Sequence, residues 1–138
     1  MKHLITFLFA LFSLLAQSQV VPVSIVQEDG QWNLKRQGET YYIKGGGGQT
    51  HLDKLVDIGG NSIRTWGIEN ADEVLDEAHE RGLTVMLGLW VQHERHGFDY
   101  SDPVAVKKQL EGFRSAVMKY KDHPALLMWG IGNELNLR

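Results

Sequence analysis

An apolar run, Ala125-Leu126-Leu127-Met128-Trp129-Gly130-Ile131-Gly132, leads without interruption into Asn133-Glu134. A run of this kind reads as a strand buried on both faces, the habit of parallel sheets. Ligands of such sheets bind at the carboxyl ends of the strands, where side chains converge. A carboxyl group there, next to an amide side chain, is placed to donate a proton to a substrate oxygen. The plainer alternative for Glu134 is a solvated residue just past a strand end.

The rest of the chain supplies partners for such a strand. Alternating segments at residues 21–28, 31–36 and 40–44 are separated by Asp29-Gly30 and Gln37-Gly38. Asp-Gly between alternating segments marks a hairpin, because both turn residues tolerate positive φ. A small antiparallel meander is therefore expected over residues 19–40, with Trp32 and Tyr42 as its apolar face. From Tyr41 onward the pattern becomes strand, helix, strand, helix. A first helix is expected from Thr50, with Asp53 as a capping-box partner and Leu52, Leu55 and Val56 inward. A strand follows at residues 61–66. The next helix is capped by Asn70, with Ala71, Val74, Leu75 and Ala78 on one face at helical spacing, and Gly82 stops it. Residues 83–90 form the third strand. Asp102-Pro103 opens a longer helix in the favoured order of cap and first-turn proline, with Val106, Leu110, Phe113, Val117 and Tyr120 apolar. Strands alternating with helices imply a parallel sheet with right-handed crossovers.

Composition narrows the partners. The net charge of −3 over 138 residues favours neither nucleic acid nor an anionic membrane, and the absence of cysteine excludes disulfides and thiolate metal sites. Residues 1–18 read as a secretory signal peptide. Lys2 and His3 precede an apolar stretch from Leu4 to Ala16, and Ala16-Gln17-Ser18 offers small residues for cleavage before Gln19. That stretch is shorter than the roughly 20 residues a spanning helix needs, so a secreted or periplasmic chain without a membrane span is expected.

At the strand ends the sequence resembles a known family. His123-Pro124, the apolar run, Trp129, Gly130, Gly132 and Asn133-Glu134 are similar to the fourth strand of the glycoside hydrolase family 2 catalytic barrel, a member of the wider clan A of retaining glycosidases. Asn61-Ser62-Ile63-Arg64-Thr65-Trp66 resembles the second strand, and Tyr42-Ile43-Lys44-Gly45 the first. The resemblance covers about residues 31–138 and implies an α/β fold: the first four strands and three helices of a (β/α)8 TIM barrel, over residues 41–138. It implies that the protein hydrolyses O-glycosidic bonds of an oligo- or polysaccharide by double displacement and without a cofactor. Such enzymes use two carboxyl groups about 5 Å apart. Glu134 matches the acid/base, whose proton apolar surroundings would help to retain. The nucleophile is expected beyond Arg138, so the fragment alone should be inactive. Asn133 matches the residue that bonds the sugar 2-hydroxyl, and Arg64 the one that orients the nucleophile; an ion pair within the sheet is the structural alternative for Arg64. A β-glucan transglycosidase of the same clan and a non-catalytic glycan-binding protein are the competing functions.

Trp66 and Trp90 lie near strand ends, where they either stack on a sugar ring or pack internally. His93-Glu94-Arg95-His96 has histidines three apart in an expected loop, against four apart on a helix in zincins, which argues against metal; His93 or Glu94 either touches substrate or is solvated. Gly45-Gly46-Gly47-Gly48 lacks the Gly-Lys-Ser/Thr ending of a phosphate loop and reads as a flexible connection.

Overall fold

A computed structural model of the chain describes residues 20–135. Val23–Glu28 (β1) and Gln31–Arg36 (β2) pair antiparallel, from Val23 opposite Arg36 to Glu28 opposite Gln31. Asp29 and Gly30, with φ of 51° and 77°, form the left-handed turn whose twist matches the strands it joins. Gln37 and Gly38 repeat it (55° and 84°) before a two-residue strand, Glu39–Thr40 (β3), which pairs with β2. Trp32 and Tyr42 do not form an apolar face here: they are 70% and 73% exposed. Three short strands without a second layer have nothing to lay over such rings. Polar contacts tie this sheet to the rest instead. The Arg36 guanidinium donates to the Pro124 carbonyl at 3.0 Å, and the Tyr41 hydroxyl donates to the Asn61 carbonyl at 2.9 Å.

The second sheet is parallel, with Gly45–Gly47 (β4), Ser62–Arg64 (β5), Thr84–Leu89 (β6) and Leu126–Ile131 (β7) in that spatial order. Leu52–Asp57 (α1), Ala71–Glu80 (α2) and Pro103–Tyr120 (α3) connect successive strands. The edge strand falls on the glycine run rather than on Tyr42–Lys44. Gly45 pairs with Ser62 so closely that a Cβ would sit 2.5 Å from the Ser62 carbonyl oxygen, so this approach requires glycine.

The core lies between this sheet and its helices. Val85, Leu87 and Leu89 alternate along β6 and join Ile63, Leu126, Val74, Leu75, Ala78, Ala116 and Tyr120 in one buried cluster. Leu75, Val85 and Leu87 have 0% exposure, and complete burial of such a side chain contributes about 1.5–3 kcal/mol each. Asp102 caps α3, its Oδ1 accepting from the Val104 amide at 2.8 Å, with Pro103 in the first turn. The other two helices start differently. His51 and Asn70 occupy the cap positions of α1 and α2 in left-handed conformation (φ 59° and 56°), and neither side chain caps its helix.

The expected partial (β/α)8 TIM barrel, its first four strands and three helices, is not what forms. The three-stranded antiparallel sheet and the four-stranded parallel sheet are separate, and β4 and β7 are the two edges of the latter. Barrel closure takes about eight strands with a matched stagger, whereas here the edge strands do not pair and the sheet is an open α/β layer. No helix among the described residues is long and apolar enough to cross a membrane. The expected signal peptide, residues 1–18, lies outside the described residues.

Candidate active site

The carboxyl ends of β5, β6 and β7 come together, and the polar chemistry of the chain concentrates there. Arg64 ends β5. Its Nη2 donates to Oδ1 of Asn133 at 3.0 Å, bridging 69 residues of chain. Its guanidinium carbon also lies 5.9 Å from the centre of the Trp66 ring, within cation–π range, while its Nε is buried with no hydrogen-bond partner. Trp66 is 43% exposed and covers the end of β4, where a Cβ on Gly47 would be 3.0 Å from the ring.

Thr65 fixes this end of β5 to β6. Its hydroxyl donates to the Gly67 carbonyl at 2.9 Å and accepts from the Gly88 amide at 3.0 Å. Gly88 can hold its place only without a side chain, since a Cβ would meet the Trp66 carbonyl carbon at 2.3 Å. Sequence reasoning did not single out Thr65 or Gly88, although a lone glycine in a strand pattern is a signal of close backbone approach.

Beyond β6, three rings stack. Trp90 and His93 have centroids 5.1 Å apart at 20°, and His93 and His96 lie 5.2 Å apart at 22°. His93 is 4% exposed, and neither of its ring nitrogens has a hydrogen-bond partner. Burial, then the positive charge of Arg95 and the neighbouring His96, hold its pKa below the ordinary value of 6.5; the Glu134 carboxylate and the Asn133 backbone act in the opposite sense. The imidazole is therefore neutral at neutral pH.

Past β7 the chain turns sharply, with Gly132 (φ 73°) and Glu134 (φ 51°) left-handed. The turn is anchored by the Gly132 amide, which donates to the Leu89 carbonyl at 2.8 Å. A non-glycine residue in this region carries about 1–3 kcal/mol of strain, a feature that clusters at functional sites. The Glu134 side chain is 58% exposed rather than set in apolar surroundings. Arg95 reaches it twice, donating through Nη1 to the Glu134 carbonyl at 3.2 Å and lying 3.9 Å from the carboxylate through Nη2.

Arg64, Trp66 and Asn133 thus form one group. Trp90 and His93 form a second, which Arg95 joins to Glu134. Arg95 was missed because a loop cation carries no periodic signal. His93 and His96 lie face to face, an arrangement in which their nitrogens do not converge, and no group of three or more His, Asp or Glu among the described residues could hold a metal ion.

No family model matches the chain. The β-galactosidase Pbg of Clostridium perfringens is 30% identical to it over 94 residues, an alignment that takes in 50% of this chain and 14% of the relative. The chain therefore spans about 14% of the length of that relative, and over that part it is similar to a glycosidase.

Proposed function

We infer that Asn133 and Glu134 are the sugar-binding amide and the proton-transferring carboxyl of a retaining glycosidase that acts on oligo- or polysaccharides. The observation that carries this reading is the Arg64–Asn133 hydrogen bond, which holds the amide from the end of β5, across the intervening β6, beside the carboxyl that Arg95 engages. Similarity to a β-galactosidase supports the same reaction class and makes β-galactosides the first substrates to test.

In this reading Glu134 gives its proton to the glycosidic oxygen as the C–O bond breaks. A second carboxylate, outside residues 20–135, attacks the anomeric carbon from the opposite face. Glu134 then accepts a proton from the water that hydrolyses the glycosyl-enzyme. Asn133 holds the sugar 2-hydroxyl, Arg64 orients the attacking carboxylate, Trp66 and Trp90 offer ring faces to the sugar, and His93 backs the Trp90 ring. Residues 1–18 direct export and are removed, so intact mass of the exported protein is expected to begin at Gln19.

The test is turnover of aryl β-galactosides by the protein that carries this chain. Glu134→Gln is expected to lower kcat about 10²–10⁴-fold for a leaving group that needs protonation. The bond-breaking step should suffer much less with a dinitrophenyl leaving group, which departs without a proton. Unchanged turnover rejects the role of Glu134. The exposure of Glu134 and its contact with Arg95 favour one further reading, glycan binding without hydrolysis. Saturable sugar binding with no cleavage of any aryl glycoside selects that alternative.

A further inference from the structure

A second concave site lies beside the strand ends. A cleft of about 530 Å³ opens between α3, the segment Gly67–Glu69 after β5, and the end of β6. That volume falls in the range of small-molecule sites, about 300–1,000 Å³. We propose that this cleft binds a neutral pyranoside, one apolar ring face on Trp90 and its hydroxyls on the polar rim. It rests on the sugar-facing role given above to Trp90, whose ring lines this cleft, and not on the role of Glu134, which does not line it.

Three observations point to a ligand of this class. The first is the wall. Ala105, Lys108, Gln109, Gly112 and Phe113 lie on one face of α3 at helical spacing, and that face borders the open cleft. Gly112 stands inside an 18-residue helix, where glycine is costly relative to alanine. A Cβ there would meet nothing within 4 Å, so packing does not demand the glycine. Its effect is to leave the cleft wall open.

The second is the platform. Trp90 has one face stacked on His93 and also lines the cleft, together with the apolar surfaces of Leu89, Phe98 and Phe113. An aromatic platform with one face held is suited to the CH-rich face of a pyranose.

The third is the rim. Oε1 of Gln109 accepts from the Gln92 amide at 2.7 Å, which leaves the Gln109 amide nitrogen as a donor. The Tyr100 hydroxyl donates to the Gln92 carbonyl at 2.6 Å and pins the loop to this position before any ligand arrives. Glu69 and Lys108 line the cleft and form no ion pair among the described residues. Their opposite charges cancel, so the rim offers a cation and an amide as donors and a carboxylate as acceptor without selecting a charged ligand. Ring hydroxyls both donate and accept, and satisfy all three.

The experiment is a titration of the 138-residue chain with methyl β-D-galactopyranoside and methyl β-D-glucopyranoside, followed by ¹H–¹⁵N NMR. The expected result is saturable shifts of the Trp90 indole and the Gln92 and Gln109 signals. Gly112→Phe, which fills the cleft, should weaken binding about tenfold or more, and Gly112→Ala should retain it. Gln109→Met keeps the side-chain length without the amide and provides a second loss variant should Gly112→Phe disturb the fold. Shifts confined to Arg64, Trp66 and Asn133, with no effect of Gly112→Phe, would place the sugar elsewhere and overturn the proposal. So would no shift with either sugar, or saturation by phenylalanine, a zwitterion, in their place. Failure of the Glu134 reading appears in turnover and failure of this one in cleft shifts, so the two are separable.

Discussion

His93 shows how one buried side chain carries a pH dependence. Its pKa is lower in the folded chain than in the unfolded one, so the unfolded state takes up the proton first as pH falls. Stability is thus unaffected by this residue above about pH 6.5 and declines below it, until pH passes the lowered folded value. His93→Phe keeps a ring in the stack and removes the titration. The urea midpoint of the wild type should fall more steeply than that of the variant between about pH 7 and 5; parallel curves would contradict the assignment. Gly88 is sensitive for a different reason. A methyl group there meets the backbone of Thr65 and Trp66 within 2.5 Å, so Gly88→Ala should cost about 1–3 kcal/mol or more in chemical denaturation. The positions of Arg64, Trp66, Trp90, Asn133 and Glu134 near strand ends were legible, because strand ends follow from where apolar runs stop. Their partners were not. The Arg64–Asn133 bond and the clasp of Arg95 on Glu134 join residues 69 and 39 apart, and local pattern contains no term for such contacts.

Helix α3 carries both a favourable and an unfavourable local choice, and the two should respond in opposite directions. Asp102→Ala removes the side chain that satisfies the Val104 amide and is expected to destabilise by about 1 kcal/mol. Gly112→Ala introduces a better helix former into open space and should stabilise by about 0.5–1 kcal/mol. Paired thermal or urea melts of the two variants check the signs, and a destabilising Gly112→Ala would mean that the space around residue 112 is not open. The Asp102-Pro103 start was readable because its chemistry is complete within three residues. The starts of α1 and α2 were not. His51 and Asn70 take left-handed backbones there, and neither the capping box expected at Thr50–Asp53 nor the side-chain cap expected from Asn70 forms. Between helices, Lys119 and Tyr120 of α3 donate to Asp72 of α2; Lys119 is pushed up to about 12, and the carboxyl is held below its ordinary value.

At the scale of all the described residues, the parallel sheet is open. β4 and β7 each present an edge, and β7 carries Ile131 at 69% exposure. Exposed edges with apolar side chains favour pairing with another chain, and a lysine there opposes it. Ile131→Lys is therefore expected to reduce concentration-dependent self-association of the 138-residue chain, measured by sedimentation velocity, while leaving its melting midpoint nearly unchanged. Equal association of both forms would show that the β7 edge is not the contact. By itself the sequence determined the hairpin at Asp29-Gly30, the alternation of strands and helices, the inward face of α2 and the cap of α3, because periodicity and turn chemistry act within a few residues. Only the tertiary structure decided that the glycine run is an edge strand, that the two sheets stay separate and the parallel one open, and that Trp90, His93 and His96 stack beside Arg95 and Glu134. Those outcomes depend on close approach between residues far apart along the chain, which steric fit and burial settle after the local elements have formed.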